Sequence, residues 1–171
     1  GYISLLAELL RHRLVSPEGL LKTDLRTSEG IRYIEIVPGK HTLHNKPIIL
    51  TQLDIRELQK AIAVVRTGWE ILLDKAGLSH NDIRQVFIAG SFGSSISPED
   101  LLTLRLVPPI SMDNIFILGN AAGIGAKLLA KNKSLLRLAI SISQLMKNVN
   151  AASTPGYQEK WIKNLSLYSE H

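Results

Sequence analysis

A chain of 171 residues, 45% hydrophobic with a mean hydropathy of +0.10 and only 5% aromatic, is long enough for one domain with an aliphatic core. It contains no cysteine, which excludes disulfides, thiolate catalysis, cysteine-held zinc and cysteine-ligated iron–sulfur clusters within it and agrees with an intracellular, cytoplasmic setting. The net charge of +5 comes from scattered basic residues without interleaved aromatics, which argues against a nucleic-acid partner, and no apolar run approaches the ~20 residues of a membrane span.

The chain opens in a helix, where Ile3, Leu5, Leu6, Leu9 and Leu10 give an apolar stripe through Arg13. Nothing in Gly1-Tyr2 caps its start, an abrupt entry that suggests a piece of something longer. Ser16-Pro17-Glu18-Gly19 reads as a turn. Residues 31–37 alternate like a half-buried strand, Pro38-Gly39 turns it, and residues 47–50 form a second extended piece.

Thr51 is a natural N-cap for a long helix, with Asp54 at the capping-box position where Glu or Gln is usual. Ile55, Leu58, Ile62, Val65, Trp69, Leu72 and Ala76 mark one face, expected to pack on a sheet, while Arg56, Lys60, Thr67, Glu70 and Asp74 mark the other. Gly77 supplies the stop. The sequence divides here into an N-terminal helix with extended segments (1–50) and an α/β core (51–171).

Val86-Phe87-Ile88-Ala89 runs straight into Gly90-Ser91-Phe92-Gly93, and Ser97-Pro98 then opens a short helix ended by Pro108-Pro109. Ile115-Phe116-Ile117-Leu118-Gly119-Asn120 repeats the plan and leads into a helix over 121–130. An apolar strand ending in glycine lets backbone N–H groups approach a ligand, and two such units in a row suggest a nucleotide-handling edge of an α/β sheet. The competing reading is that these glycines only make tight turns. The unbroken apolar run predicts that the Val86 strand is central and buried on both faces. Further helices are expected at 134–146 and 156–165, with an extended piece at 148–151.

Other chemistries find little support. His41 and His44 lie close together without a nearby carboxylate, so no metal site is expected. Gly-x-Ser-x-Gly and the Walker glycine–lysine loop are absent, and Gly119 to Gly125 misses the dinucleotide spacing, which leaves Gly123 and Gly125 to pack a helix on the sheet. No catalytic residues can be assigned.

Four stretches resemble the C-terminal ATPase-type domain of the reductive activators of corrinoid-dependent enzymes, ferredoxin-like iron–sulfur proteins of the acetate and sugar kinase, heat-shock chaperone and actin superfamily. Leu6-Ala7-Glu8-Leu9-Leu10 with Leu14 to Gly19 is similar to the helix and turn after that family's Gly-Ser-Gly segment. Residues 50–59 resemble its Thr-Gln-x-Asp helix start, 89–93 its adenosine loop, and Gly119-Asn120-Ala121-Ala122 with Gly125-Ala126 its Gly-Asn segment. Ser95-Ile96-Ser97-Pro98 departs from the family's Tyr-(Ile/Leu)-Asp-Pro, and Leu104-Arg105 replaces a usual Ile-Gly pair. The segment after Ser134 is also unusually apolar, as an interface would be.

The resemblance implies a three-layer α/β domain, one RNase H-like lobe of an actin/sugar-kinase-type clamp with a mixed sheet flanked by helices. It implies ATP and Mg²⁺ as ligands, and Gly90, Ser91, Phe92, Gly93, Gly119 and Asn120 on the nucleotide side. Gln52 and Asp54 are candidates for polar contacts across the cleft. It further implies ATP-driven return of a Co(II) corrinoid protein to Co(I). The electrons would come from an iron–sulfur domain outside this chain, and the superfamily's first phosphate motif would lie outside it too. The corrinoid protein is the implied partner, and a homodimer is left open. The alternative is a non-catalytic interaction or dimerisation module that docks the corrinoid protein.

Overall fold

The computed structural model describes residues 1–90 and 95–167. Leucines spaced at helical intervals turn one side of α1 (Tyr2–Arg11) into the core, where Leu6, Ala7 and Leu9 are buried. Below α1 the chain reverses so that Val15 bridges Leu21. β1 (Tyr33–Val37) then pairs antiparallel with β2 (Ile48–Thr51), with an irregularity between Glu35 and Val37.

Thr51 ends β2 and caps α2 (Gln52–Ala76), which closes at Gly77. The capping box is complete with aspartate: Asp54 N–H donates to Thr51 Oγ1 at 3.2 Å, and Thr51 N–H donates to Asp54 Oδ2 at 2.8 Å.

The buried face of α2 differs from the expected one. Ile55, Gln59, Ile62, Ala63, Arg66, Thr67 and Ile71 are buried, whereas Val65 and Leu72 are about half exposed and Ala76 is exposed. The reason is what α2 packs against: its neighbours are α1, β2 and α6 (Tyr157–Lys163) rather than the face of a sheet. Polar residues enter this interface because the chain offers them partners there. Gln59 Nε2 donates to Glu18 O at 3.1 Å and to Leu165 O at 2.8 Å, and Thr67 Oγ1 accepts from Asn164 Nδ2 at 3.2 Å.

β3 (Val86–Ala89) pairs in parallel with β4 (Ile115–Gly119), with α3 (Pro98–Thr103) between them in sequence. α4 (Ala121–Lys131), α5 (Leu135–Leu145) and α6 follow, and residues 148–151 form no strand. The expectation that β3 is buried on both faces is overturned, because Phe87 is 57% exposed. Among the described residues β3 pairs only with β4, and the β1–β2 and β3–β4 pairs do not join into one mixed sheet. One face of β3 sets Val86 and Ile88 against Leu101, Val107 and Ile115. The other carries Phe87, stacked on Phe116 with ring centroids 5.3 Å apart, and has no such cover among the described residues.

The core forms two clusters. The larger unites Leu6, Leu21, Leu50, Ile55, Ile62, Leu104 and Leu167, so residues before and after position 50 share it. The smaller lies under β3 and β4, and Leu106 borders both. α3 is tied to α1 by Arg11, whose Nη2 donates to Asp100 Oδ1 at 3.0 Å and whose Nη1 donates to Thr103 Oγ1 at 3.1 Å. Burial alone would raise the Asp100 carboxyl, but hydrogen bonds from Ser4, Arg11 and Ser97 outweigh it and hold the group below its usual range.

Two predictions follow from these ties. A carboxylate whose folded pKa lies below the unfolded value stabilises the fold in full above the unfolded pKa, about 3.9 for aspartate, and loses that contribution as pH falls through the folded value. Asp100→Asn is therefore expected to lower stability at neutral pH by about 1–2 kcal/mol and to narrow its gap from the parent in acid, read as urea midpoints across pH. Arg66→Lys is expected to destabilise by about 2–4 kcal/mol despite keeping the charge, because one ammonium cannot satisfy the carbonyls that the planar guanidinium reaches, and thermal unfolding would show it.

Candidate nucleotide-binding edge

The carboxyl ends of the two parallel strands bring both glycine turns together. Ala89 pairs with Gly119 after a register irregularity, and Gly90 N–H donates to Gly119 O at 2.7 Å. Gly90 has φ +99 and Gly119 φ +60, left-handed conformations in which any Cβ is strained. Among the described residues a Cβ built at either position would meet nothing within 4 Å. Backbone conformation demands glycine here, and no described side chain blocks the approach of a ligand to these main-chain atoms.

Asn120 follows Gly119 and caps α4, its Oδ1 accepting from Gly123 N–H at 2.9 Å. The amides of Ala121 and Ala122 head the helix, where N–H groups lack intrahelical partners, and no acidic residue stands in that first turn. Such a terminus favours anionic groups. Gly123 was expected to pack the helix on the sheet, but its role is to admit the cap: a Cβ there would lie 2.7 Å from Asn120 Nδ2. Gly125 faces open space rather than a packed neighbour.

The other candidates stand apart from this pair. Ser91, Phe92 and Gly93 lie outside the described residues. Gln52 accepts from Leu21 N–H at 2.8 Å through Oε1 and donates to Gly19 O at 2.6 Å through Nε2, which fixes the turn after α1. Asp54 is engaged in the α2 cap. Neither side chain makes a hydrogen bond to the glycine turns among the described residues. The same residues include no group of three or more His, Cys, Asp or Glu able to hold a metal ion. No described helix is long and apolar enough to cross a membrane.

One residue that carries much of this architecture was not singled out by its pattern. Arg66 sits in a helix otherwise rich in charged surface residues, and only its position four residues after Ile62 on the buried stripe hinted at its burial.

Three comparisons place this geometry. A family model described as the C-terminal domain of RACo, the ASKHA domain, matches residues 1–171. The chain is 28% identical to the corrinoid activation enzyme RamQ of Eubacterium limosum over 176 residues, 96% of this chain and 30% of that protein. It is 28% identical to a [Co(II) methylated amine-specific corrinoid protein] reductase of Methanosarcina barkeri over 108 residues, 63% of this chain and 20% of that protein. Among solved structures, a reductive activator for corrinoid, iron–sulfur protein superposes with a TM-score of 0.80 at 24% identity, over 95% of this chain and 27% of the other, which shows a shared fold. The chain thus spans less than a third of the length of each relative. With the parallel strands, the paired glycine turns and a match along its whole length, this chain belongs to the family of C-terminal ASKHA domains of the RACo proteins.

Proposed function

We propose that this chain is the nucleotide-binding lobe of an ATP-dependent reductive activator, which returns a Co(II) corrinoid protein to Co(I). The observation that carries the reading is the pair of hydrogen-bonded glycine turns at the carboxyl ends of parallel strands, with the capped start of α4 beside them. Gly90 and Gly119 leave main-chain atoms open to a nucleotide, and the first amides of α4 favour its phosphates. Ser91, Phe92 and Gly93, by their resemblance to the family's adenosine loop, are candidate nucleotide contacts. Gln52 and Asp54 hold the start of α2 and its neighbouring turn in place, and so act on the cleft by positioning.

The reduction itself needs an electron donor. With no cysteine in the chain, a cysteine-held iron–sulfur cluster that donates the electrons would have to be held outside these 171 residues. Phosphoryl transfer depends on placing both ends of the triphosphate, its metal and the attacking water. The described residues offer main-chain contacts at one end of the nucleotide alone, and a facing lobe with its carboxylates would supply the rest. The setting that suits this chemistry is the cytoplasm, with a corrinoid protein as the partner.

A specific observation favours a second role for the same lobe. α4 and α5 bury no residue, and Leu136, Leu138, Ile140 and Ile142 are each about half exposed. Leu136 with Ile140 and Leu138 with Ile142 leave two sides of α5 apolar and uncovered, as a helix awaiting an interface would be. In this reading the lobe is an interaction module that holds a second copy or the corrinoid protein, without nucleotide chemistry of its own.

Calorimetry on the full-length protein separates the two. ATP is expected to bind saturably, and Gly90→Asp to weaken binding by at least about tenfold through strain at φ +99 and charge repulsion of phosphate. Absence of ATP binding by the full-length protein would sink the nucleotide reading. The 171-residue chain alone is expected to hydrolyse ATP no faster than its Gly90→Asp variant. Turnover by the chain alone, abolished by that substitution, would instead put the catalytic groups within it.

A further inference from the structure

α4 and α5 form a hairpin that buries none of its own residues, and each of the two packs chiefly against the other. Ile124, Leu128, Leu136, Leu138, Ile140 and Ile142 are about half exposed along it. Helices of eleven residues gain little stability from propensity alone and owe their place to the packing of an apolar face. This pair therefore presents a surface that awaits a cover.

Charge sets what kind of cover fits. Between Asp113 and Glu159 the sequence holds five cations, Lys127, Lys131, Lys133, Arg137 and Lys147, and no carboxylate. Outside that stretch cations and carboxylates are equal in number, so the net charge of +5 resides on and beside this hairpin. All five cations are exposed, and among the described residues none forms an ion pair.

A second copy docked face to face would set these cations against each other, with no carboxylate on the hairpin to answer them. An anionic bilayer would accept the cations, but a helix lying in a lipid surface buries one side and turns the opposite side to water. On α5, Leu136 with Ile140 and Leu138 with Ile142 make two sides apolar, which a groove on a protein can cover together.

We infer that the α4–α5 hairpin docks an acidic protein surface, apolar at its centre and ringed by carboxylates. The inference rests on the interaction role proposed above and gives the corrinoid partner its chemistry there, an acidic docking face. Burial of leucine and isoleucine supplies affinity. Lys131 at the end of α4, Lys133 in the turn and Arg137 in the first turn of α5 steer the encounter and fix its register. None of these side chains belongs to the glycine turns, so docking and nucleotide binding can be tested apart.

The test is calorimetric titration of the full-length protein with the source organism's corrinoid proteins, each purified in its Co(II) form. One of them is expected to bind, with an affinity that falls as salt is raised. Lys131→Glu with Arg137→Glu, and Ile142→Ser by itself, are each expected to weaken that binding about tenfold or more while ATP binding and melting temperature hold. Lys40→Glu with Lys75→Glu makes the same change of net charge at exposed sites outside the hairpin and is expected to bind as the parent does. The assignment is overturned if no corrinoid protein binds, or if the control pair weakens binding as much as the hairpin pair. Hairpin variants that bind like the parent would leave the corrinoid partner standing and remove this docking site. A lower melting temperature in those variants would place the cover within the full-length protein itself, again against the assignment. Light scattering that shows a dimer broken by the same variants would put a second copy on the hairpin, and phosphatidylserine vesicles that float the parent but not the variants would put lipid there; either result overturns it.

Discussion

The guanidinium of Arg66 holds the described fold together at the point where its parts would otherwise separate. Nε and Nη2 donate to Leu104 O, Nη2 also to Leu167 O, and Nη1 to the carbonyls of Asn164 and Ser166. One side chain on α2 thereby fastens the end of α3 and the segment after α6. Among the described residues no carboxylate pairs with it. The carbonyl dipoles solvate the charge in place of water, and this is why the group stays inside although burial lowers its pKa. A planar fork with five donors can meet several carbonyls from two directions at once.

Everything that positions the glycine turns depends on that fastening. Leu104 belongs to the larger hydrophobic cluster and Leu101 to the smaller one beneath β3 and β4, so α3 joins the helical part of the chain to the strand pair. Arg11 adds a second tie from α1 to the same short helix through Asp100 and Thr103. Six residues are too few for α3 to be stable by itself, and its place is set by these neighbours. The turns at Gly90 and Gly119 are thus held from behind by Val86, Ile88 and Ile115, while their outer side stays open.

Among the described residues the strand pair is covered on one face only. Phe87 and Phe116 stack on the other, and α4 and α5 leave Ile124, Leu128, Leu136, Leu138, Ile140 and Ile142 about half exposed. Relatives of this chain are more than three times its length by the shares matched, and a surface of this composition is what a lobe of a larger assembly presents to its neighbours.

Local rules in the sequence were enough to find most elements. The Thr51–Asp54 box, the stop at Gly77, Ser97-Pro98 at the head of α3 and the glycine after each parallel strand involve residues within a few positions of one another, and all four are legible without any tertiary context. The resemblance that these stretches carry led to the right family for the same reason. What lay beyond reach were choices made by distant partners. An apolar run such as Val86 to Ala89 cannot say how many strands will flank it or which face will be covered, and the half-exposed Phe87 follows from neighbours rather than from composition. The stripe of α2 was misjudged because burial of Gln59, Arg66 and Thr67 depends on carbonyls and an amide supplied by residues near 18, 104 and 164–167. Periodicity records which side chains avoid water by themselves. Only the tertiary structure decides which polar ones are given partners that let them leave it.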